Sequence, residues 1–168
     1  MSVLDSVRKP RDDGPRWLVL LGCIVCCELA GVVPSLLTAR DVATWYPTLA
    51  KPWFTPPSWV FGPVWTTLYF LMGVALYLVW RRAESRARRT ALVLFAVQLA
   101  LNAAWTLVFF GAREILGGLV VILALLAVLV ATVAAFARVD RRAGALLVPY
   151  ALWVGFATLL NVGIWRLN

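Results

Sequence analysis

The chain of 168 residues contains no histidine. That absence removes His-based catalytic triads, His-ligated haem iron and His proton relays. Charge is also scarce: 14% of residues are charged, against about 25% in an average soluble domain. Cysteine is limited to Cys23, Cys26 and Cys27, all inside one apolar run. Cys23 and Cys27 share a helix face, but thiols alone in this pattern do not complete a metal site. They read as small apolar groups packed in a membrane helix, with no disulfide framework and no metal. Strands alternating over about ten residues, the mark of an outer-membrane barrel, are missing too. The segment from Leu119 to Phe136 runs LVVILALLAVLVATVAAF without alternation.

Apolar residues fill the space: 62% of the chain is hydrophobic, against about 45–50% in a typical globular protein. One soluble core of this length cannot hide that excess, so lipid must cover part of the surface. Five segments reach the roughly 20 apolar residues needed to span a bilayer, approximately 17–39, 58–80, 91–110, 115–137 and 144–165. Helices satisfy their backbone polar groups internally, so the expected fold is all-α, a single domain over 1–168 built as an integral membrane bundle of five transmembrane helices. The first span follows a basic stretch in the manner of a signal peptide. Its apolar run is too long for that, and no small-x-small cleavage site follows, so it reads as retained.

The net charge of +8 does not point to nucleic acid. The basic residues sit only in the gaps between apolar runs, and no aromatic-basic groove accompanies them. Twelve of the sixteen fall in the amino-terminal tail and in the second-to-third and fourth-to-fifth gaps. Four, Arg40, Lys51, Arg113 and Arg166, fall on the other side. The positive-inside rule then places the amino terminus in the cytoplasm and the carboxyl terminus outside.

The remaining gap is unusual. Trp45–Tyr69 reads WYPTLAKPWFTPPSWVFGPVWTTLY and holds four of the nine tryptophans and five of the nine prolines. A rigid aromatic loop, residues 40–57, opening into a membrane helix suits a cap over an apolar pocket. Faces of three spans would meet beneath it. Phe61, Trp65 and Tyr69 recur every four residues in the second span. Gln98, Asn102 and Trp105 share a face of the third, and Trp153, Ala157 and Asn161 share one of the fifth, with Tyr150 a turn earlier. Amides buried in lipid need partners. Facing them toward aromatic NH and OH groups supplies these and gives an apolar wall with a few convergent polar groups. Packing alone is the competing reading, since amides glue membrane helices and tryptophans form interfacial belts. Trp17, Trp80 and Trp165 fit such a belt.

Two further features stand out. Ala96, Ala100 and Ala104 lie opposite Gln98 and Asn102. This small-residue face allows close helix approach, either in a homodimer or against a neighbouring helix of the same chain. Glu28 sits mid-span, where an ionisable group is a functional hypothesis by default. Pro34 follows it and would kink the helix, freeing carbonyls.

Three segments, WYPTLAKPWFTPPSWVFGPVWTTLYF (45–70), QLALNAAWTLVFFGAR (98–113) and VPYALWVGFATLLNVGIWRLN (148–168), resemble the translocator protein family, also called tryptophan-rich sensory proteins or peripheral benzodiazepine receptors. The resemblance covers over a third of the chain. It implies a five-helix bundle, commonly a homodimer. It also implies a pocket under the first loop for porphyrins, sterols in some members, and synthetic benzodiazepine-type ligands, with no separate cofactor. By motif position that pocket falls on Tyr46, Trp65, Tyr69, Asn102, Trp105, Trp153 and Ala157. The reading from the residues adds Phe61 and Gln98. The expected location is integral in a membrane, taken as the bacterial cell (inner) membrane. The family's last-helix sterol motif is broken by Val162; a weak pattern survives at Val74–Tyr77–Arg81.

Three functions follow as expectations. The first is binding, transport or sensing of a porphyrin that is metal-free or held without histidine ligation, stacked between indoles with its carboxylates near Arg40 or Lys51. The second is light-dependent porphyrin breakdown, which the resemblance ties to Trp65 and Trp153. The third is proton-coupled export of lipophilic cations through Glu28.

Overall fold

The computed structural model describes residues 16–168; Arg8, Lys9 and Arg11, counted above in the charge asymmetry, lie outside the described residues. Five long helices follow one another: α1 Arg16–Thr44, α2 Phe61–Trp80, α3 Arg86–Thr106, α4 Ile115–Val139 and α5 Arg141–Leu167. Single 3-10 turns lie at Tyr46–Thr48 and Ser58–Val60, and a π turn over Leu107–Gly111 extends α3. Every helix is long and apolar enough to cross a bilayer, and no strand occurs among the described residues.

The helices form a ring in the order α1, α2, α5, α4, α3, with α2 also reaching α3. Ion pairs and hydrogen bonds mark its two ends. At one end Arg82 pairs with Asp140, joining the close of α2 to the α4–α5 turn. At the other, Arg113 Nη2 meets Asp41 Oδ1 at 2.7 Å and joins the close of α1 to the α3–α4 turn. Arg113 has a φ of 58°, a left-handed conformation that costs a non-glycine residue energy.

Helix ends differ from those read from hydropathy. α1 runs on to Thr44 and α3 begins at Arg86, because helices continue past the apolar core with charged residues facing water. Pro34 does not end α1. The hydroxyls of Ser35 and Thr38 bond back to the carbonyls of Gly31 and Pro34 at 2.8 and 3.0 Å, which satisfies these hydroxyls within the membrane span. Side-chain-free crossings set the helix spacing. A methyl at Gly31 would overlap the Tyr69 ring, and one at Gly73 would overlap the backbone of Ile24.

Part of the fully buried core lies toward the arginine-rich end. Val79, Ala75, Ala91, Leu129, Phe136, Ala143 and Leu147 are fully buried there, and Phe95 stacks on Phe136 with centroids 5.4 Å apart. α1 is mostly lipid-facing: Leu21, Val25, Leu29, Leu36 and Leu37 are exposed. Trp17, Trp80 and Trp165 are exposed near helix ends, as an interfacial belt requires.

Candidate ligand site beneath the aromatic loop

The loop between α1 and α2 is pinned rather than free. Pro52 is buried against α5, where a methyl on Gly163 would overlap its ring. The side chain of Asn168 accepts from Ala50 N at 3.1 Å and donates to Ala50 O at 3.0 Å. Lys51 Nζ donates to the Leu49 carbonyl at 3.1 Å and lies 4.7 Å over the Tyr46 ring. Phe54 meets Phe156 edge-on at 6.3 Å. The loop therefore caps the end of the bundle where α2, α3 and α5 present their aromatic faces.

Those faces meet. Trp65 stacks on Tyr69 at 5.7 Å and lies 6.3 Å from Trp105 and 6.2 Å from Tyr150. Phe61 approaches Trp153 at 5.9 Å, and Trp153 in turn lies 5.4 Å from Phe156. Ala157 is buried one turn beyond Trp153. Below the rings runs a chain of side-chain hydrogen bonds across three helices. Tyr69 Oη donates to Asn102 Oδ1 at 2.6 Å, Asn102 Nδ2 donates to Tyr150 Oη at 2.7 Å, and Tyr150 Oη donates to Gln98 Oε1 at 3.1 Å. These four side chains are almost entirely buried. Each accepts or donates to a neighbour, which is how polar groups survive at membrane depth.

The chain of bonds leaves donors over. Trp105 Nε1, Trp153 Nε1 and Gln98 Nε2 are buried without a hydrogen-bond partner, as is the acceptor Asn161 Oδ1. An unpaired buried polar group costs about 1–3 kcal/mol, so three unmatched donors around one aromatic wall mark a place suited to a ligand carrying acceptors. No cationic side chain is among the buried residues of this cluster.

All nine site residues expected from the sequence lie in or beside this cluster. Eight are on the three converging faces. Tyr46 joins through two phenylalanines, Phe109 at 6.5 Å and Phe110 at 5.5 Å, both of which also touch Trp105 at 5.9 Å. Burial pushes the Tyr46 phenol above its ordinary pKa, so it stays neutral near pH 7. Phe109 and Phe110 were not singled out by sequence reasoning. Their positions depend on the π turn, closed by Ala112 N bonding to Leu107 O at 2.8 Å. The inserted residue turns Phe109 into the core, over Gly118, where a methyl would collide with its ring. Single π turns recur at functional sites. The four-residue step from Trp105 to Phe109 was the available signal.

Of the side residues, Ala96 and Ala100 are exposed on the outer face of α3 and Ala104 is half-buried. The alternative of packing within the chain is thereby lost for Ala96 and Ala100. Glu28 is half-buried on α1 beside the fully buried Cys27, with no ion pair among the described residues.

Residues 23–166 match the TspO/MBR family. The chain belongs to that family. It is 44% identical over 155 residues to the tryptophan-rich protein TspO of Chlorobaculum tepidum, covering 90% of this chain and 96% of that one. It is 40% identical over 156 residues to the human translocator protein, 92% of each chain. The tryptophan-rich sensory protein of Cereibacter sphaeroides is 40% identical over 152 residues, 90% of this chain and 92% of that protein. The TspO/MBR match spans the capping loop, the three converging faces and the π turn, so the whole cluster lies within the shared region.

Proposed function

We propose that this TspO/MBR membrane protein binds porphyrins and other planar lipophilic molecules beneath the aromatic loop and acts in their transport, sensing or regulation. The observation that carries the reading is the set of unpaired buried donors at Trp105, Trp153 and Gln98 within an aromatic wall. Indole faces stack on a flat conjugated ring, and indole and amide N–H groups donate to its acceptors. The absence of histidine favours a metal-free tetrapyrrole. Protoporphyrin IX should quench the tryptophan fluorescence of the wild-type protein saturably. In the Trp65→Phe, Trp153→Phe double variant, the dissociation constant should rise at least tenfold. Equal affinity in the two proteins overturns the reading.

The exposed Ala96–Ala100 face supports a homodimer through α3. Ala100→Phe should abolish cross-linking of wild-type efficiency while leaving porphyrin quenching intact. The two ends of the ring also support insertion in the bacterial cell membrane with the arginine-rich end cytoplasmic. A carboxyl-terminal reporter active only in the cytoplasm refutes that orientation.

A further inference from the structure

At the arginine-rich end, remote from the aromatic cap, a cleft of about 280 Å³ opens between the start of α3 and the close of α4. Its walls are Arg86, Ala87, Thr90, Ala135 and Arg138. It is too small for a tetrapyrrole, since drug-sized ligand pockets begin at roughly 300 Å³. Its chemistry differs as well: two guanidiniums and a hydroxyl surround small methyl groups, with no aromatic ring.

The nearby acids are engaged elsewhere. Asp140 binds Arg82 and accepts from Arg142 N at 2.9 Å. Glu84 Oε1 lies 3.6 Å from Arg88, which turns away to cover the Trp80 ring. Among the described residues, Arg86 and Arg138 pair with no carboxylate. Nor is the Thr90 hydroxyl tied to its own helix, a state it shares with Thr66 on α2. Thr106, Thr132 and Thr158 bond back to a carbonyl one turn earlier, whereas the Thr90 hydroxyl makes no such bond. The cleft thus holds two cations and a hydroxyl that have no partner among the described residues.

The setting identifies the anion. Trp80 closes α2 nearby and is partly exposed, which places this end at the level of the lipid headgroups. Down from the cleft, Ala131 and Ala134 on α4 are exposed, giving an apolar surface for acyl chains away from the Ala96–Ala100 face of α3. We infer that the cleft seats the phosphate of an anionic phospholipid: Arg86 and Arg138 flank the phosphate, Thr90 donates to it, and the acyl chains lie against the exposed face of α4. Charge complementarity selects an anionic over a zwitterionic lipid, because only the former leaves net negative charge for two unpaired arginines.

The test uses the purified full-length protein in detergent, offered phosphatidylglycerol or phosphatidylcholine, with bound lipid counted by native mass spectrometry. The wild-type protein should retain phosphatidylglycerol in preference to phosphatidylcholine. Arg86→Gln with Arg138→Gln should reduce that retention about tenfold or more, as two basic residues at a membrane surface imply. Arg141→Gln with Arg142→Gln removes the same charge outside the cleft and should change retention little. Equal loss in both double variants overturns the site in favour of diffuse charge attraction. Equal retention of the two lipids overturns the headgroup assignment. Displacement of the lipid by millimolar inorganic phosphate also overturns it, by identifying a free-anion site. Arg86 and Arg138 are exposed, so neither substitution removes a core contact.

Discussion

The two ends of the bundle are built on opposite principles. At the arginine-rich end, aliphatic groups and the Phe95–Phe136 pair make up the buried interior, and the polar groups lie at the rim, some paired as Arg82 is with Asp140 and some, such as Arg88 Nε, without a hydrogen-bond partner among the described residues. At the capped end, large rings meet edge-on and tilted at centroid distances of 5.4–6.5 Å, several of them half-buried. Polar donors there outnumber their acceptors. One end keeps its unmatched groups at the rim, whereas the other holds them among its rings. The difference teaches where stability is assembled and where binding can alter it: a guest with acceptors gains most where the protein has left groups unmatched.

The contrast is broken most severely at the arginine-rich end. Phe136→Ala should cost about 3–5 kcal/mol of stability, the range for removing a fully buried aromatic ring. Denaturation in detergent measures it, and porphyrin affinity of the remaining folded protein should be unchanged. A large affinity loss without destabilisation would mean that the two ends are not independent.

At the capped end the signs reverse. Trp153→Phe removes an N–H with no partner while keeping a ring in place. Relieving that group should leave the unliganded protein as stable as before or up to about 1 kcal/mol more stable, given the cost of an unsatisfied buried donor. The same change should weaken porphyrin binding several-fold. Loss of stability together with loss of binding would show that the indole N–H already has a partner, and the argument for an incomplete site would fail. Tyr69→Phe is milder. It removes one interhelical hydrogen bond, worth about 0.6 kcal/mol on average between membrane helices, and leaves Asn102 Oδ1 unpaired. A thermal-shift assay should register a small loss.

Sequence patterns made much of the capped end legible, for a physical reason. The four-residue recurrence of Phe61, Trp65 and Tyr69 fixes one helix face, and amides at Gln98 and Asn102 must face inward because lipid offers them nothing. Those two constraints are enough to orient α2 and α3 toward each other. The π turn was not legible, since a single inserted residue leaves no hydropathy signature. Phe109 and Phe110 were missed with it. Nor was the tether between Asn168 and Ala50, because a hydrogen bond across that sequence distance depends on where the fold brings the chain's end. The small glycine contacts at Gly31 and Gly163 fall in the same class: each is read as a crossing only once the partner ring is in view. Extra helical turns at Thr44 and Arg86 escaped for a simpler reason, in that hydropathy detects the bilayer and not the helix.

The smallest expected effect sharpens the account of the arginine-rich rim. Arg82 beside Asp140 holds that carboxyl below its ordinary pKa of 3.8, and the Arg142 backbone N–H adds to the effect. A carboxylate with a depressed folded pKa stabilises the fold above the unfolded value and loses that contribution as pH falls through the folded one. The Arg82–Asp140 contribution should therefore be constant from neutral pH down to about pH 4 and decline only below it. Arg82 is 49% exposed, so water screens the pair and its worth is at most about 1 kcal/mol. Asp140→Asn separates the two jobs of this residue. Asparagine still caps α5 by accepting from Arg142 N, but it cannot pair with Arg82 or titrate. The variant should lose up to that amount at pH 7 and show a flatter stability profile below pH 4 than the wild type. If the profiles run parallel, the acid limb belongs to other carboxylates, and Asp140 holds the α4–α5 turn through its helix cap alone.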